Sequence, residues 1–104
     1  MRRGEVWWAN LPAPAGRRPV LLLSRDAAYG VRTAATVAAI TRTIRNIPVE
    51  VELTVEDGMP AQCVVNLDQI LTIPMSLLDS PITTLDGAKL TEVREAIVFA
   101  LDLQ

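Results

Sequence analysis

Hydrophobic and polar residues alternate with a period of two in parts of the chain, which predicts β-strands. Residues 49–53 (VEVEL) alternate strictly and are typical of a half-buried strand. Residues 4–11 alternate less regularly, but their aromatic and β-branched content predicts a first strand. Residues 20–23 form an apolar run too short for a helix, and they predict a buried central strand. Pro19 is tolerated at its entrance because pairing can begin one residue later.

The rest of the chain up to residue 85 predicts further short strands and turns. Alanines make residues 35–43 compatible with a helix, but the β-branched residues favour a strand. Residues 62–67 and 69–73 predict two short strands, or one strand bent at 66–68. A last edge strand is expected at 81–85. The connecting segments are a loop at 12–16, a loop or single helical turn at 25–33, a turn at 56–60 and a short helical turn at 74–80.

The period changes near the C-terminus and predicts one helix. Thr91 is the expected N-cap, with two glutamates in the first turn and Asp86-Gly87 as the preceding turn. The apolar face expected to pack on the sheet consists of Val93, Ala96, Ile97, Ala100 and Leu101. We therefore predict a mainly β (α+β) single domain over residues 1–104. Its expected architecture is a small open barrel of bent antiparallel strands with a C-terminal helix.

Composition agrees with a packed domain, since 50% of the residues are hydrophobic and only 21% are charged. No apolar run approaches membrane-spanning length, and no apolar signal region follows the N-terminus, so a soluble cytoplasmic protein is expected. Cys63 is the only cysteine and lies in an apolar run. We interpret it as a core residue.

The chain contains no histidine. This excludes a histidine acid or base, Ser-His and Cys-His dyads, and imidazole metal sites. Any chemistry must therefore come from arginine, carboxylate, hydroxyl or backbone groups, and we expect neither a metal nor a cofactor.

Charge is distributed unevenly along the chain. Residues 1–45 contain eight arginines and two acids, a net charge of +6, whereas residues 46–104 have a net charge of −8. This asymmetry favours one basic face that binds a polyanion. The alternative is that the charges are scattered over the folded surface.

Arg18 lies immediately before Pro19, at the mouth of the predicted central strand. A guanidinium fixed at a strand end is well suited to bind phosphate, because its planar fork can donate two parallel hydrogen bonds. The alternative is a surface arginine that only solubilises the strand end.

The order of the motifs resembles the MazF/PemK (Kid) family of toxin endoribonucleases along essentially the whole chain. The matching segments are residues 4–8 (GEVWW), 18–24 (RPVLLLS), 39–45 (AITRTIR) and 68–73 (DQILTI), followed by the helix. The resemblance implies an SH3-like barrel and a homodimer that cleaves single-stranded RNA at short sequence motifs. It also implies a cognate antitoxin whose C-terminal segment blocks the RNA groove.

The resemblance also suggests site residues. The family's catalytic arginine and threonine match Arg18 and Thr41. Asp68 and Gln69 match a segment near the substrate groove, and Trp8 matches an aromatic position on the first strand. Trp8 either stacks on a base or packs in the core or at a dimer interface.

Two further arginines complete the expected substrate-binding set. Arg17 adjoins Arg18, and Arg42 adjoins Thr41. Arg42, together with Arg45, either binds phosphates and makes affinity salt-dependent or lies on a solvated edge strand.

The chain departs from the family in two places. Its first loop is cut to residues 12–16 and has no acid or amide, although this loop covers the active site in relatives. Leu71 stands where relatives tend to have arginine or lysine. Both departures bear on substrate gating and sequence preference.

The implied chemistry needs few protein groups, because RNA supplies its own nucleophile, the 2′-hydroxyl. Attack by this hydroxyl gives a 2′,3′-cyclic phosphate, and the expected cleavage needs neither a metal nor the ribosome. Arg18 would neutralise the phosphorane, and Thr41 would donate a hydrogen bond to a non-bridging oxygen. Asp68 is a candidate base, but it is equally typical of a turn residue. The competing hypotheses are a degenerate member that binds without cutting and a toxin of the same fold that poisons a topoisomerase.

Overall fold

The computed structural model describes residues 1–103 and contains a six-stranded antiparallel sheet, curled into a half-barrel, with one C-terminal helix. The spatial order of the strands is β4-β5-β3-β2-β1-β6. Their bounds are β1 Glu5–Asn10, β2 Arg17–Leu22, β3 Ala34–Thr41, β4 Glu50–Leu53, β5 Cys63–Pro74 and β6 Leu78–Thr84, followed by helix α1, Gly87–Leu101. The predicted open barrel with a terminal helix is confirmed.

Strand β2 is internal, as predicted for a central strand, but it begins at Arg17 rather than Val20. Trp8 of β1 is paired with Pro19 of β2, whereas the pairing of β2 with β3 begins only at Val20. Proline is therefore accommodated within the strand, because its missing N–H falls where one side of β2 is unpaired. Arg17 and Arg18 are consequently held by a paired strand and do not lie in a loop.

Residues 63–74 form one bent strand, which is one of the two predicted alternatives. The bend lies where Ala38 pairs with Ile70 but Ala39 pairs with Asn66, so three residues of β5 have no partner on β3. This irregularity is a β-bulge, and it falls at the predicted pivot. Buried Asn66 stabilises the bulge by accepting a hydrogen bond from the amide of Asp68 at 2.9 Å.

The helix starts earlier than predicted, because Asp86 and not Thr91 is its N-cap. The Asp86 carboxylate accepts from the amide of Lys89 at 2.8 Å, which satisfies one of the unpaired amides of the first turn. Thr91 lies inside the helix and donates its hydroxyl to the carbonyl of Gly87 at 3.0 Å. The prediction also placed Leu101 on the inner face of the helix, which is wrong, because its side chain is 55% exposed.

The segment before the helix also differs from its prediction. Only Met75–Leu77 form a helical turn, and β6 begins at Leu78, three residues before the predicted start. Pro81 lies inside β6, paired with Trp7. An edge strand can contain proline because its outer side has no partner, so Pro81 did not mark a boundary. The edge position predicted for this last strand is confirmed.

The other boundaries lie close to their predictions. Asp26–Gly30 form a single 3₁₀ turn within the predicted loop, and β3 ends at Thr41 rather than at Thr43.

Two hydrophobic clusters lie on opposite faces of β2, as alternation along a strand requires. Leu21 belongs to the cluster that packs under α1, whereas Val20 and Leu22 belong to the other. Cys63 is 4% exposed in the first cluster, so its prediction as a core residue is confirmed. Within residues 1–103 no helix is long and apolar enough to cross a membrane.

Candidate functional site

Arg18 and Thr41 lie close together where β2 begins and β3 ends, since both line the same two surface cavities. The last pair between β2 and β3 is Val20 with Ala39, and Arg18 and Thr41 lie two residues beyond it on their respective strands. Side chains two residues apart in a strand share a face, so both project to the same side. Two residues that are 23 positions apart in the sequence therefore form one site.

Arg18 and Thr41 also separate two surface cavities of about 400 and 470 Å³. Both cavities are lined by the same five residues, which we call the ridge: Ala15, Arg18, Pro19, Ile40 and Thr41. The first, the turn-side cavity, is completed by Trp8, Arg17, Arg42, Met59, Pro60, Ala61 and Cys63. The second, the bulge-side cavity, is completed by Leu11, Val20, Ala39, Gln69, Ile70 and Leu71. The ridge and the two cavities together form the cleft.

The guanidinium of Arg18 is held by the short loop before β2. Its Nε donates to the carbonyl of Ala15 at 2.9 Å. The loop is closed by a hydrogen bond from the amide of Leu11 to the carbonyl of Gly16 at 3.0 Å. Arg18 is exposed, and its two terminal amino groups make no hydrogen bond or ion pair with residues 1–103. The loop therefore orients Arg18 without neutralising it.

The hydroxyl of Thr41 is positioned by the backbone just beyond β3. Its oxygen accepts from the amide of Thr43 at 3.2 Å, and the side chain is half-buried. Since that bond uses a lone pair, the hydroxyl proton remains for donation to a ligand. Arg18 and Thr41 thus supply adjacent donors aimed at the cleft.

Arg17 is bound differently from Arg18. Its Nη2 forms an ion pair with the Asp79 carboxylate of β6 at 2.8 Å, and its guanidinium carbon lies 4.5 Å from the centroid of the Trp8 ring. Trp8 is half-buried and belongs to neither hydrophobic cluster. A guanidinium over an indole face is attractive, so Arg17 and Trp8 form one wall of the turn-side cavity.

Of the remaining residues predicted for the site, some line one of the two cavities and others line neither. Arg42 lines the turn-side cavity, and Gln69 lines the bulge-side cavity. Asp68 is exposed in the bulge and lines neither of them. Arg45 also lines neither, and its amide donates to the Glu50 carboxylate at 2.9 Å.

Sequence reasoning missed the outer wall of the turn-side cavity, which is formed by Met59, Pro60 and Ala61. These residues follow Gly58, whose φ of 95° lies in the left-handed region that favours glycine. The Glu56-Asp57-Gly58 signal predicted the turn, but nothing local indicated that it faces β2. Only the assembled sheet brings this turn to the ridge.

Cys63 forms part of the turn-side cavity and is nevertheless buried. Burial raises the pKa of its thiol above the ordinary value of 9.0, and Asp57 adds to this effect while Arg42 opposes it. The thiol is therefore protonated near neutral pH and contributes an apolar surface.

The distribution of basic residues differs from the single basic face favoured above. Arg17, Arg18 and Arg42 lie at the cleft, where β2 begins, whereas Arg3 and Arg25 lie beyond its other end. Leu71, 38% exposed, contributes an apolar contact to the bulge-side cavity. Among the residues that the structure describes, no group of three or more Cys, Asp or Glu side chains could hold a metal ion.

Comparison with known proteins gives consistent matches over almost the whole chain. A probable endoribonuclease MazF2 of Mycobacterium tuberculosis is 45% identical over 98 residues, which cover 93% of this chain and 94% of that protein. The solved structure of the Mycobacterium tuberculosis toxin MazF-mt6 superposes with a TM-score of 0.89 at 34% identity, covering 96% of this chain and 98% of the other.

A second solved structure, an endoribonuclease in complex with its cognate antitoxin from a mycobacterial species, has a TM-score of 0.89 at 25% identity. It covers 100% of this chain and 97% of the other. The family model described as the PemK-like, MazF-like toxin of type II toxin-antitoxin systems matches residues 2–101. The chain therefore belongs to the PemK/MazF family of type II toxins.

Proposed function

We propose that this protein is a sequence-specific endoribonuclease that cleaves single-stranded RNA without a metal ion or cofactor. The observation that supports this best is the position of Arg18 and Thr41, two adjacent donors on the ridge between two cavities. A phosphodiester lying on the ridge has a nucleotide on either side of it. Each cavity then receives one of the flanking nucleotides.

The reaction we propose is transesterification by the RNA itself. The 2′-oxygen attacks the phosphorus, the bond from phosphorus to the 5′-oxygen breaks, and the products are a 2′,3′-cyclic phosphate and a 5′-hydroxyl. The proton of the 2′-hydroxyl passes to water, and water protonates the 5′-oxygen. No carboxylate lines either cavity within the described residues, so the protein contributes mainly charge stabilisation.

Arg18 and Thr41 have separate roles in this reaction. The terminal amino groups of Arg18 donate to the non-bridging oxygens, where negative charge accumulates in the phosphorane. Thr41 donates its hydroxyl proton to one of the same oxygens. Because Ala15 and Thr43 already fix these groups, little reorganisation is needed when the charge develops.

The walls of the cleft suit unpaired bases rather than a duplex. The turn-side cavity offers the Trp8 ring and the apolar side chains of Met59 and Pro60, and the bulge-side cavity offers the Gln69 amide beside Leu71. Single-stranded bases can stack on such surfaces and expose their edges to an amide. Arg17 and Arg42 contribute positive charge near the backbone.

The proposed partners follow the family. We expect a homodimer in the cytoplasm and a cognate antitoxin that occupies the cleft and excludes RNA. The solved endoribonuclease–antitoxin complex supports the proposal that an antitoxin binds this protein, since the match covers 100% of this chain and 97% of that toxin.

The decisive test is cleavage of a long single-stranded RNA in EDTA by the purified protein and by Arg18→Ala. We expect discrete fragments with 2′,3′-cyclic phosphate ends, and a rate at least 10²-fold lower in the variant, as is typical when one preorganised donor is lost. Arg94→Ala removes an exposed helix arginine outside the cleft and serves as the matched control.

Intact RNA after incubation with folded, antitoxin-free protein would contradict the nuclease proposal. Equal cleavage by Arg18→Ala and the wild type would remove Arg18 from the site. RNA binding without cleavage would indicate a degenerate family member. Inhibition of a topoisomerase without RNA binding would indicate the second alternative.

A further inference from the structure

A second basic pocket lies at the opposite end of β2, beyond Leu22. It has a volume of about 330 Å³ and shares no residue with the cleft. Its polar lining consists of three arginines and three hydroxyl residues, namely Arg3, Arg25, Arg32, Ser24, Thr36 and Thr72. We call it the arginine–hydroxyl pocket. None of its residues has a role in the function proposed for the cleft.

Arg3 is fixed in this pocket by two hydrogen bonds. Its Nε donates to the carbonyl of Leu23 at 2.9 Å, and its backbone amide donates to the Asp26 carboxylate at 2.7 Å. The terminal amino groups of Arg3 and the guanidinium groups of Arg25 and Arg32 have no hydrogen-bond or ion-pair partner within residues 1–103. The pocket therefore brings together three cations, and no acid contributes to its lining.

The hydroxyl groups add neutral donors. Ser24 accepts the amide of Thr36 at 2.8 Å and also lies against the phenol of Tyr29, so its hydroxyl is shared between two protein groups. The hydroxyls of Thr36 and Thr72 lie 3.2 Å apart, and whichever one donates to the other, the pair retains one proton for a ligand. Charged and neutral donors together are the chemistry that recognises a tetrahedral oxyanion with several acceptor oxygens.

We propose that the arginine–hydroxyl pocket binds a phosphate group. Three guanidinium groups provide the charge, and the Thr36–Thr72 pair provides an additional hydrogen bond. The pocket has no aromatic lining, so it accommodates a phosphate and not a stacked base. The phosphate comes either from the backbone of an RNA that extends beyond the cleft or from a free phosphorylated molecule.

The first test is a titration of the full-length protein with inorganic phosphate, followed by the NMR shifts of the Ser24 and Thr36 amides. We expect saturable shifts, and binding at least tenfold weaker in the Arg25→Gln/Arg32→Gln variant. Arg94→Gln, which makes a similar charge change on the exposed side of the helix, should bind phosphate as the wild type does.

Absence of saturable shifts, equal binding by the double variant, or an equal response to acetate at matched ionic strength would overturn the proposal. Each variant is checked by its thermal midpoint, and since all three arginines are exposed, folding is expected to be unchanged. This result is independent of the nuclease assay, because the titration contains no RNA.

The second test identifies the source of the phosphate. The affinity of a single-stranded RNA for Arg18→Ala protein is measured against salt concentration, with and without the Arg25→Gln/Arg32→Gln change. If the RNA backbone occupies the pocket, the slope of log K against log salt becomes shallower by about 0.7 for each phosphate lost. An unchanged slope together with lost phosphate binding would support a free phosphorylated molecule as the ligand.

Discussion

The two ends of β2 present arginine to the surface in different surroundings. At the start of the strand, Arg17 and Arg18 adjoin an indole ring, prolines and aliphatic side chains. Beyond its other end, Arg3, Arg25 and Arg32 are surrounded mostly by hydroxyls and small residues. Each end has three arginines, but only the cleft has apolar walls large enough to contact a base.

Basic charge alone therefore does not specify which part of a nucleic acid is recognised. Guanidinium groups bind phosphate wherever they are oriented and unpaired, and this contact is insensitive to sequence. Base recognition needs stacking surfaces and amide donors, which are present in the cleft as Trp8 and Gln69. We therefore expect sequence preference to come from the cleft, and the arginine–hydroxyl pocket to contribute phosphate binding that is insensitive to sequence.

Thr41→Val should distinguish the cleft from the arginine–hydroxyl pocket most strongly, because it removes one hydroxyl group from the cleft at nearly constant side-chain volume. We expect the single-turnover cleavage rate to fall about 10²-fold, since a donor to the transition state is lost. Phosphate binding beyond the other end of β2 should not change.

Thr43→Val is the matched control, because its backbone amide can still donate to Thr41. A cleavage rate for Thr41→Val within threefold of the wild type would exclude Thr41 as a catalytic donor.

A smaller effect is expected from Asp79→Asn, which removes the carboxylate that binds Arg17. An exposed ion pair stabilises a fold by no more than about 1 kcal/mol, so the protein should remain folded. Arg17 becomes available to a phosphate, and RNA affinity should rise about two- to fivefold. The salt slope should steepen by about 0.7, as measured by fluorescence anisotropy.

Asp68→Asn makes the same charge change outside both cavities and controls for a general electrostatic effect. Equal responses of the two variants would show that Arg17 is not released specifically.

The smallest effect concerns Cys63, whose burial raises its thiol pKa above 9.0. From about pH 9 upward the thiol of the unfolded chain ionises before that of the folded protein, so stability is lost as pH rises. The free energy of unfolding in urea should therefore fall more steeply above pH 9 for the wild type than for Cys63→Ala. Parallel pH profiles would show that Cys63 is not desolvated.

Much of the fold could be predicted because it depends on local pattern. The strict alternation of residues 49–53 located β4, and the Asn66-Leu67-Asp68 segment located the bulge of β5. The start of α1 was missed because Asp86 and Thr91 are both good caps. The Lys89 ammonium, which donates to the Glu52 carbonyl of β4 at 2.7 Å, lies in a first helical turn that local sequence did not reveal.

The candidate site was predictable only in part. Arg18 and Thr41 were selected by family motifs, and both line the two cavities of the cleft. The contact of Arg17 with Asp79 joins residues 62 positions apart, and the wall at Met59 depends on how a turn folds over the sheet. Such contacts are set by tertiary structure and leave no periodic signal in the chain.

The ridge has a consequence for how substrate preference can evolve. Apart from the ridge, the two cavities share no lining residue. Substitutions at Met59–Ala61 would reshape one cavity and substitutions at Gln69–Leu71 the other, and neither set includes Arg18 or Thr41. If RNA is cut at the ridge, as we propose, selectivity on the two sides of the cut can diversify separately, so that a toxin lineage can acquire new target motifs one half at a time.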